Sequence, residues 1–280
     1  EPEKEIKTLL DSSKLMGAPM VADLTYAGVI GIVGDREGAL ALARSLVMQS
    51  VTHCGPADLT LGVFFDRGKE DEWSWTSWLP HTRQSGSSTG GRWISQDYEH
   101  SNAMLKNLQQ SIDGLLTPGL MLVIDSEVLT EGRDAPARKL LGYGRGENPH
   151  LQSSRDKVVH KVFGIVIASS EEQLPASCTV VVTVDEDAAA TFYEPEKRRT
   201  VNDVIIGGID LDHVTKLARM LAEFDDPELI IPGAGLPGLV RLPELTGIGT
   251  PPTAQKIINT WQKSTGYSTE ILSLIHISEP

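Results

Sequence analysis

The sequence predicts an α/β fold in which a parallel β-sheet is flanked by helices. Short runs of Val, Ile and Leu alternate along the chain with segments of helical periodicity, as in repeated strand–helix–strand units. These runs are apolar at consecutive positions, which is typical of parallel strands buried on both faces. The first run is followed by a glycine-containing turn and a helix, the opening of many nucleotide-binding folds. Right-handed crossovers then give a doubly wound sheet.

The individual elements follow from the same patterns, taken in chain order. The predicted strands are short apolar runs bounded by turn residues: 28–33, 59–65, 119–124, 163–168 and 179–184. The main predicted helices have apolar residues at helical spacing: 39–48, 97–116, 210–224 and 253–263. The helix from residue 210 begins at Asp210, a residue type that favours the N-cap position.

Composition argues against several classes of function. The chain has 280 residues, with 25 Lys and Arg against 38 Asp and Glu, so its formal net charge is −13. We therefore expect no direct nucleic-acid binding, because a nucleic-acid backbone attracts basic surfaces. Cys54 and Cys178 lie far apart and outside any zinc-binding spacing, which predicts neither a disulfide framework nor a metal site. No apolar run approaches the roughly 18 to 20 residues that a membrane span requires.

A degenerate phosphate-binding loop follows the first predicted strand. The working motif, GxxxxGK[ST], surrounds phosphates with backbone N–H groups, a Lys that reaches the β/γ oxygens and a hydroxyl that holds magnesium. Aligned on its second glycine, residues 33–40 lack the first Gly, the Lys and the hydroxyl, and the loop positions that remain are Gly34, Asp35, Arg36 and Gly38. Asp35 and Glu37 would satisfy the positive helix end and repel phosphate. We interpret this loop as a structural relic of a phosphate site.

The predicted strand 119–124 is followed by Asp125, in the form of a Walker B strand. An Asp at this position holds magnesium, directly or through water. The pattern is loose, because any parallel strand that ends in Asp matches it, and a turn carboxylate is the alternative. Hydrolysing proteins usually place a Glu next, whereas Ser126 follows here and Glu127 comes one residue late. Glu127 would share the face of Asp125 only if the chain stayed extended.

A tryptophan-rich segment follows the second predicted strand. Trp73, Trp75 and Trp78 are three of the five tryptophans and lie within six residues. Aromatic clusters of this kind anchor a partner or pack a loop onto its own sheet, and packing is the interpretation we favour. His81 follows Pro80 without a nucleophile placed beside it, so we expect a hydrogen-bonded packing residue rather than a catalytic base.

A dinucleotide-binding oxidoreductase is a second interpretation of the same glycines. Residues 31–38 carry three glycines after a strand, and Asp66 ends the next strand, as in a Rossmann fold. Tyr193 and Lys197 supply the YxxxK pair that short-chain dehydrogenases present on one helix face. Pro195 disfavours a helix between them, and the glycine spacing does not match GxGxxG.

Four stretches together resemble FtsK/SpoIIIE-type translocation ATPases. They are residues 31–44, 73–83, 125–138 and 168–175. In this order they are similar to the region that precedes the first ATPase module of type VII secretion ATPases and of related forkhead-associated/FtsK fusion proteins. The stretches WLPH and LTEGRDAPAR are the most specific, and the resemblance covers roughly residues 20–262.

The resemblance implies a RecA-like (P-loop NTPase-like) fold with degenerate motifs and no catalytic residue that can be assigned here. It implies a membrane-tethered hexamer whose downstream modules use ATP and magnesium to move secreted proteins or DNA. We then expect no cofactor in this fragment, and contacts with the downstream modules and with other copies of the chain. The expected location is cytoplasmic, at the inner face of the cell membrane through the rest of the parent protein.

The resemblance also predicts a division of the chain. Residues 1–24 form an approach segment, 25–231 the degenerate RecA-like domain, and 232–271 a linker that leads to an ATPase module. Residues 272–280 resemble a translated sequencing adapter, and we expect them to be foreign to the protein. A free-standing interaction module without ATPase ancestry is the remaining alternative. In a RecA-like sheet, the strand of Asp125 should lie near the strand before Gly34, with both loops at one edge.

Overall fold

One eight-stranded sheet organises the part of the chain that the structure describes. The computed structural model describes residues 17–22, 28–84, 91–113, 119–143, 162–187, 189–224, 226, 251 and 253–263. The strands are β1 (Val29–Gly34), β2 (Leu59–Phe65), β3 (Ile94–Ser95), β4 (Gly119–Asp125), β5 (Val162–Ile167), β6 (Val180–Val184), β7 (Ala189–Glu194) and β8 (Arg199–Ile205). Their order across the sheet is β3-β2-β4-β5-β1-β6-β7-β8. The pairs among β1 to β6 are parallel, whereas β7 pairs antiparallel with both β6 and β8.

Helices connect the strands and cover both faces of the sheet. Those in the described ranges are α1 (Arg36–His53), α2 (Glu70–Trp73), α3 (Tyr98–Asp113), α4 (Glu127–Thr130), α5 (Pro136–Tyr143), α6 (Leu211–Leu221) and α7 (Ala254–Lys263). Two short 3-10 helices, Ser74–Trp78 and Pro80–Thr82, continue from α2. The chain divides into two compact units, Glu1–Leu229 and Ile230–Pro280. The sheet and α1 to α6 belong to the first unit, and α7 belongs to the second.

The core lies on the two faces of the parallel strands. Successive side chains of a strand point to opposite faces. In β4, Met121 and Val123 join the cluster beneath α1 and α6, whereas Leu122 and Ile124 join the cluster beneath α3 and α5. All four side chains are at most 1% exposed. Burial on both faces explains why these strands are continuously apolar in the sequence.

The five predicted strands and the predicted α/β class are confirmed, but the β7–β8 hairpin was not predicted. β8 lies at the edge of the sheet, and none of its seven residues is buried. Val201 and Val204 are half-buried against the core and the other five residues are exposed, so residues 199–205 lack the continuous apolar run that predicts the inner strands. The sheet is therefore mixed, with an antiparallel hairpin beside β6 rather than parallel strands throughout.

Several domain predictions fall largely outside the described residues. The approach segment 1–24 is described only at 17–22, and the linker 232–271 only at 251 and 253–263. The adapter-like segment 272–280 lies outside the described residues altogether.

The strand order bears on the alternative folds. In the classic dinucleotide-binding order, the second strand lies beside the first, but here β4 and β5 separate β2 from β1. Tyr193 lies in β7 and Lys197 in the following turn, where its Nζ lies 2.7 Å from Glu194 Oε1. The tyrosine and lysine of the YxxxK pair therefore do not share a helix face. The strand of Asp125 is one strand removed from β1, and the carboxyl ends of both strands meet at one edge of the sheet.

Candidate functional site at the carboxyl edge of the sheet

The turn between β1 and α1 is closed by groups of the chain itself. Gly34 adopts φ +104°, and a Cβ on it would lie 2.0 Å from Val184 O. The backbone N–H of Asp35 donates to Val184 O at 2.9 Å, and its carboxylate accepts from Gly38 N at 2.8 Å. Asp35 is thus the N-cap of α1. One of the N–H groups that would face a phosphate in a working loop already has a carboxylate as its acceptor.

Asp125 is the most heavily bonded side chain of this edge. It is 1% exposed. Its Oδ1 accepts from Arg36 Nη1 at 2.8 Å and from Lys69 Nζ at 3.0 Å. Its Oδ2 accepts from Arg36 Nη2 at 2.6 Å and from Trp73 Nε1 at 2.8 Å. A carboxylate has about four acceptor positions, so Asp125 is saturated by donors of this chain.

Arg36 bridges the two carboxylates of the cluster. Besides its bidentate contact with Asp125, its Nη2 donates to Glu72. Burial by itself lowers the pKa of the guanidinium, but the hydrogen bonds to Asp125 and Glu72 raise it above its ordinary value. Lys69 adds a second cation and also donates to the backbone oxygen of Asp125 at 2.9 Å. Two cations therefore balance the carboxylates of Asp125 and Glu72.

The partners of Asp125 were not predicted as a group. The sequence placed Arg36 in the degenerate loop and Trp73 in an aromatic cluster. It predicted no role for Lys69. They meet because Arg36 follows β1, Lys69 and Trp73 follow β2, and Asp125 ends β4. The carboxyl ends of parallel strands share one edge, so a search for cations just after strand ends could have found Arg36 and Lys69.

Glu127 turns away from Asp125. It is the first residue of α4, since the chain leaves the extended conformation after Ser126. Its Oε1 accepts from Ser169 N at 3.0 Å and from Ser169 Oγ at 2.7 Å, and its Oε2 accepts from Gln173 Nε2 at 2.8 Å. The hydrogen bonds from Ser169 lower the pKa of the Glu127 carboxyl below its ordinary value. The condition for a shared face with Asp125 is not met, and Glu127 instead joins the loops after β4 and β5.

Residues 69–82, here called the Trp loop, pack mainly onto their own sheet. Trp73 and Trp75 are at most 1% exposed, and their ring centroids lie 6.4 Å apart at an interplanar angle of 27°. Trp75 Nε1 donates to Glu72 O at 3.1 Å. Trp78 differs, because it is 44% exposed and lies under the Arg219 guanidinium, 4.9 Å from Cζ to the ring centroid. Two of the three predicted tryptophans are core residues, and the third reaches the surface beside α6.

His81, the last residue but one of the Trp loop, is buried. It is 3% exposed, and its Nε2 lies 2.7 Å from Cys54 O, so Nε2–H is the donor. Its Nδ1 is buried and has no hydrogen-bond partner. Burial lowers the pKa of the imidazole below its ordinary value, against the opposing effects of the Cys54 bond and of the nearby Asp226 carboxylate. This is the environment of a neutral packing histidine.

We expect the free energy of unfolding to fall as the pH drops below about 6.5, the pKa of histidine in an unfolded chain. The pKa of His81 is lower in the folded state than in the unfolded state, so on acidification the unfolded state binds a proton at His81 first. The contribution of His81 to the free energy of unfolding is therefore complete above pH 6.5 and is lost as the pH falls, by at most about 1.4 kcal/mol per pH unit. Urea unfolding at pH 7.5 and 5.5 measures this loss.

The variant His81→Gln keeps an N–H donor near Cys54 O but does not titrate. Its stability should change less between the two pH values than that of the parent chain. His100→Gln, at an exposed position of α3, is the matched control and should keep the parent dependence. Equal pH dependence in the parent chain and His81→Gln would contradict the assignment.

Comparison with known proteins gives both a sequence match and a fold match. No protein-family model matches the chain. The ESX-3 secretion system protein EccC3 of Mycobacterium tuberculosis is 31% identical over 77 residues, in each of two strains. EssC (ATPases 2 and 3) from Geobacillus thermodenitrificans has a TM-score of 0.50 at 14% identity over 71% of this chain. The cytoplasmic domain of the type VII secretion ATPase EccC from Thermomonospora curvata has a TM-score of 0.44 at 11% identity over 68% of this chain.

The resemblance to type VII secretion ATPases is confirmed. The EssC structure shows the shared fold, a RecA-like α/β sheet flanked by helices. The sequence match covers 27% of this chain and 6% of EccC3. The structural match covers 44% of the EssC chain. This chain thus corresponds to a small part of EccC3 and to less than half of the EssC chain.

The resemblance to type VII secretion ATPases implies a site for magnesium and ATP, but the residues at this edge do not fit these ligands. Both oxygens of Asp125 are occupied by Arg36, Lys69 and Trp73. Ala39 and Leu40 stand where a working loop has its Lys and its hydroxyl. Over the described ranges, no group of three or more His, Cys, Asp or Glu could hold a metal ion. In the same ranges, no helix has the length and apolar character to cross a membrane.

Proposed function

We propose that this chain is a non-hydrolysing coupling domain of an FtsK/SpoIIIE-type translocation ATPase. Its RecA-like fold and its resemblance to type VII secretion ATPases support the ATPase ancestry. The saturated carboxylate of Asp125 supports the absence of hydrolysis and carries the proposal. A nucleotide fold that no longer turns over nucleotide retains a shape with which it can contact neighbouring modules.

The contacts of Asp125 support a site that is closed to magnesium, rather than a site that binds magnesium weakly. A magnesium ion would have to displace Arg36 and Lys69 from a carboxylate that is 1% exposed. The displaced cations would then face each other with Glu72 and the partly exposed Asp66 as their nearest carboxylates. No lysine of the motif remains to grip a terminal phosphate in exchange. Magnesium and ATP therefore belong to other modules of the parent protein in this proposal.

The partners follow from the same proposal. The domain would contact the ATP-hydrolysing modules of the same chain and other copies of the chain, in a hexameric motor at the inner face of the membrane. Secreted proteins, or DNA, would be moved by the motor as a whole. A net charge of −13 supports contacts with protein modules rather than with a nucleic-acid backbone.

Titration of a fluorescent ATP analogue onto the purified chain, with and without magnesium, tests the absence of hydrolysis. We expect no magnesium-dependent binding in the micromolar range and no release of phosphate above the buffer rate. An intact P-loop ATPase module in the same assay shows that weak binding would be detected.

The variant Asp125→Asn is the matched control for contamination. In this assay it should match the parent chain in nucleotide binding and phosphate release, because Asp125 holds no magnesium in this proposal. The variant is expected to be less stable, so circular dichroism must first show that it is folded under the assay conditions. Micromolar, magnesium-dependent binding with turnover that Asp125→Asn abolishes would overturn the proposal. Turnover that persists unchanged in the variant would point to a contaminating ATPase.

A further inference from the structure

The Trp loop connects the ion pairs at Asp125 with α6 on the surface. At its first end, Lys69 and Trp73 both donate to the Asp125 carboxylate, and Glu72 accepts from Arg36. Three residues of the loop are therefore fixed to one charge cluster. Hydrogen bonds to charged groups are stronger than those between neutral groups, so this end of the loop is firmly held.

The interior of the Trp loop is rigid. Trp73 stacks with Trp75, and Thr76 Oγ1 donates to Trp73 O at 2.7 Å. Thr76 and Leu79 are fully buried. Arg92 Nη1 donates to Leu79 O at 3.0 Å, which ties the second half of the loop to the segment before β3. A displacement at Trp73 cannot be absorbed inside such a loop, because close-packed side chains transmit strain.

The far side of the Trp loop holds α6. Val214 and Ala218 of α6 are fully buried in the same hydrophobic cluster as Trp73 and Trp75. Trp78 lies against the Arg219 guanidinium at 4.9 Å, a cation–π contact. The segment before α6 has a separate anchor, because Ile209 N donates to Ala41 O of α1 at 3.0 Å. The N-terminal end of α6 thus has an anchor on α1 in addition to the Trp loop, whereas Ala218 and Arg219 in the C-terminal half lie against the Trp loop.

We infer that the Trp loop is a rigid coupling element through which the ion pairs at Asp125 hold the C-terminal half of α6. The inference rests on the proposed coupling role, since it identifies the part of the domain that would transmit a change at the closed nucleotide edge. The Arg36 and Glu72 side chains are 40% and 32% exposed, so a charged group of a neighbouring module can compete for them from solvent. Loss of that pair would loosen the Trp loop and, with it, residues 217–221.

Amide hydrogen exchange of the variant Trp73→Phe tests the inference without nucleotide. The substitution keeps a ring in the core but removes the donor to Asp125. We expect the amides of residues 217–221 to exchange about tenfold faster, because a hydrogen bond to a charged group is lost. The amides of residues 98–110 in α3, on the opposite face of the sheet, should change less. Ser77→Ala, which removes only the exposed bond to Ser74 O at 2.7 Å, is the control and should leave α6 unchanged.

Coupling is reciprocal, so a change at α6 should be detected at Trp73. Arg219→Gln removes the cation that lies over Trp78. We expect the indole N–H of Trp73 to exchange faster with solvent in this variant, and the NMR signal of that N–H measures the exchange. This variant also serves if Trp73→Phe does not fold. In the double variant Trp73→Phe/Arg219→Gln, the acceleration of amide exchange in α6 should differ by more than about twofold from the product of the two single-variant accelerations. Independent sites agree with that product to within about twofold.

Three results would overturn the inference. They are equal acceleration of α3 and α6 in Trp73→Phe, an unchanged Trp73 indole signal in Arg219→Gln, and independent effects in the double variant. The proposed function fails on a different measurement, the binding and hydrolysis of ATP by the parent chain, so the two failures are distinguishable.

Discussion

Replacement of Asp125 by Asn should reduce the free energy of unfolding by about 3 kcal/mol. The carboxylate is 1% exposed and balances Arg36 and Lys69. Its removal leaves two cations close together, and an amide oxygen cannot satisfy the donors that met two charged oxygens. Breaking a buried ion pair costs about 3 to 5 kcal/mol. We place the loss at the lower end because the Arg36 and Lys69 side chains are 40% and 30% exposed and can be rehydrated.

Urea unfolding followed by far-UV circular dichroism measures this loss. Asp66→Asn is the matched control, because Asp66 contacts the same Lys69 at 3.4 Å but is 45% exposed. An exposed pair contributes under about 1 kcal/mol, so this variant should stay close to the parent chain. If Asp125→Asn costs no more than Asp66→Asn, the ion cluster does not stabilise the edge of the sheet.

Gly34→Ala should destabilise the fold by roughly 3 kcal/mol or more, and the variant should be recovered mainly in insoluble form. Gly34 has φ +104°, a region that side chains with a Cβ rarely adopt, and this strain costs about 1 to 3 kcal/mol. The added Cβ would also lie 2.0 Å from Val184 O. Relief requires β6 to move away from β1, which breaks the backbone bond from Asp35 N to Val184 O.

Gly132→Ala separates the two contributions to this effect. Gly132 also has a positive φ, +84°, but nothing lies within 4 Å of a Cβ built there. This variant should therefore show only the conformational cost, about 1 kcal/mol. Thermal unfolding of the soluble fractions compares the two variants. Equal melting temperatures would mean that the contact with Val184 contributes nothing.

The parallel strands were predictable because burial on both faces leaves a continuous apolar run, as in residues 119–124. The start of α6 was predictable because Asp210 caps it through a local bond to His213 N at 2.8 Å. The edge strand β8 was not predictable, since only Val201 and Val204 pack against the core and its five exposed residues have no reason to be apolar. Local sequence thus predicts the elements whose residues are selected by burial or by capping.

In the candidate site, the motif residues were predictable from local sequence, whereas the contacts between them were not. Asp35, Arg36 and Gly38 were singled out by their place in a degenerate motif, and Asp125 by its place after a strand. The bidentate contact between Arg36 and Asp125 joins residues 89 positions apart, and Lys69 and Trp73 reach the same carboxylate from a third segment. The reach of a side chain across an edge depends on strand order, which local patterns do not contain.

The sequence by itself determined that this protein has the strand–helix alternation of a nucleotide fold, the remains of its motifs and a resemblance to type VII secretion ATPases. Only the tertiary structure decided what Asp125 contacts. The physical reason is that a motif residue is fixed by its neighbours in the chain, whereas the partners of a buried charge are fixed by the strands that the sheet brings side by side. A carboxylate that could have held a metal ion holds Arg36 and Lys69 because β1 and β2 end at the same edge as β4.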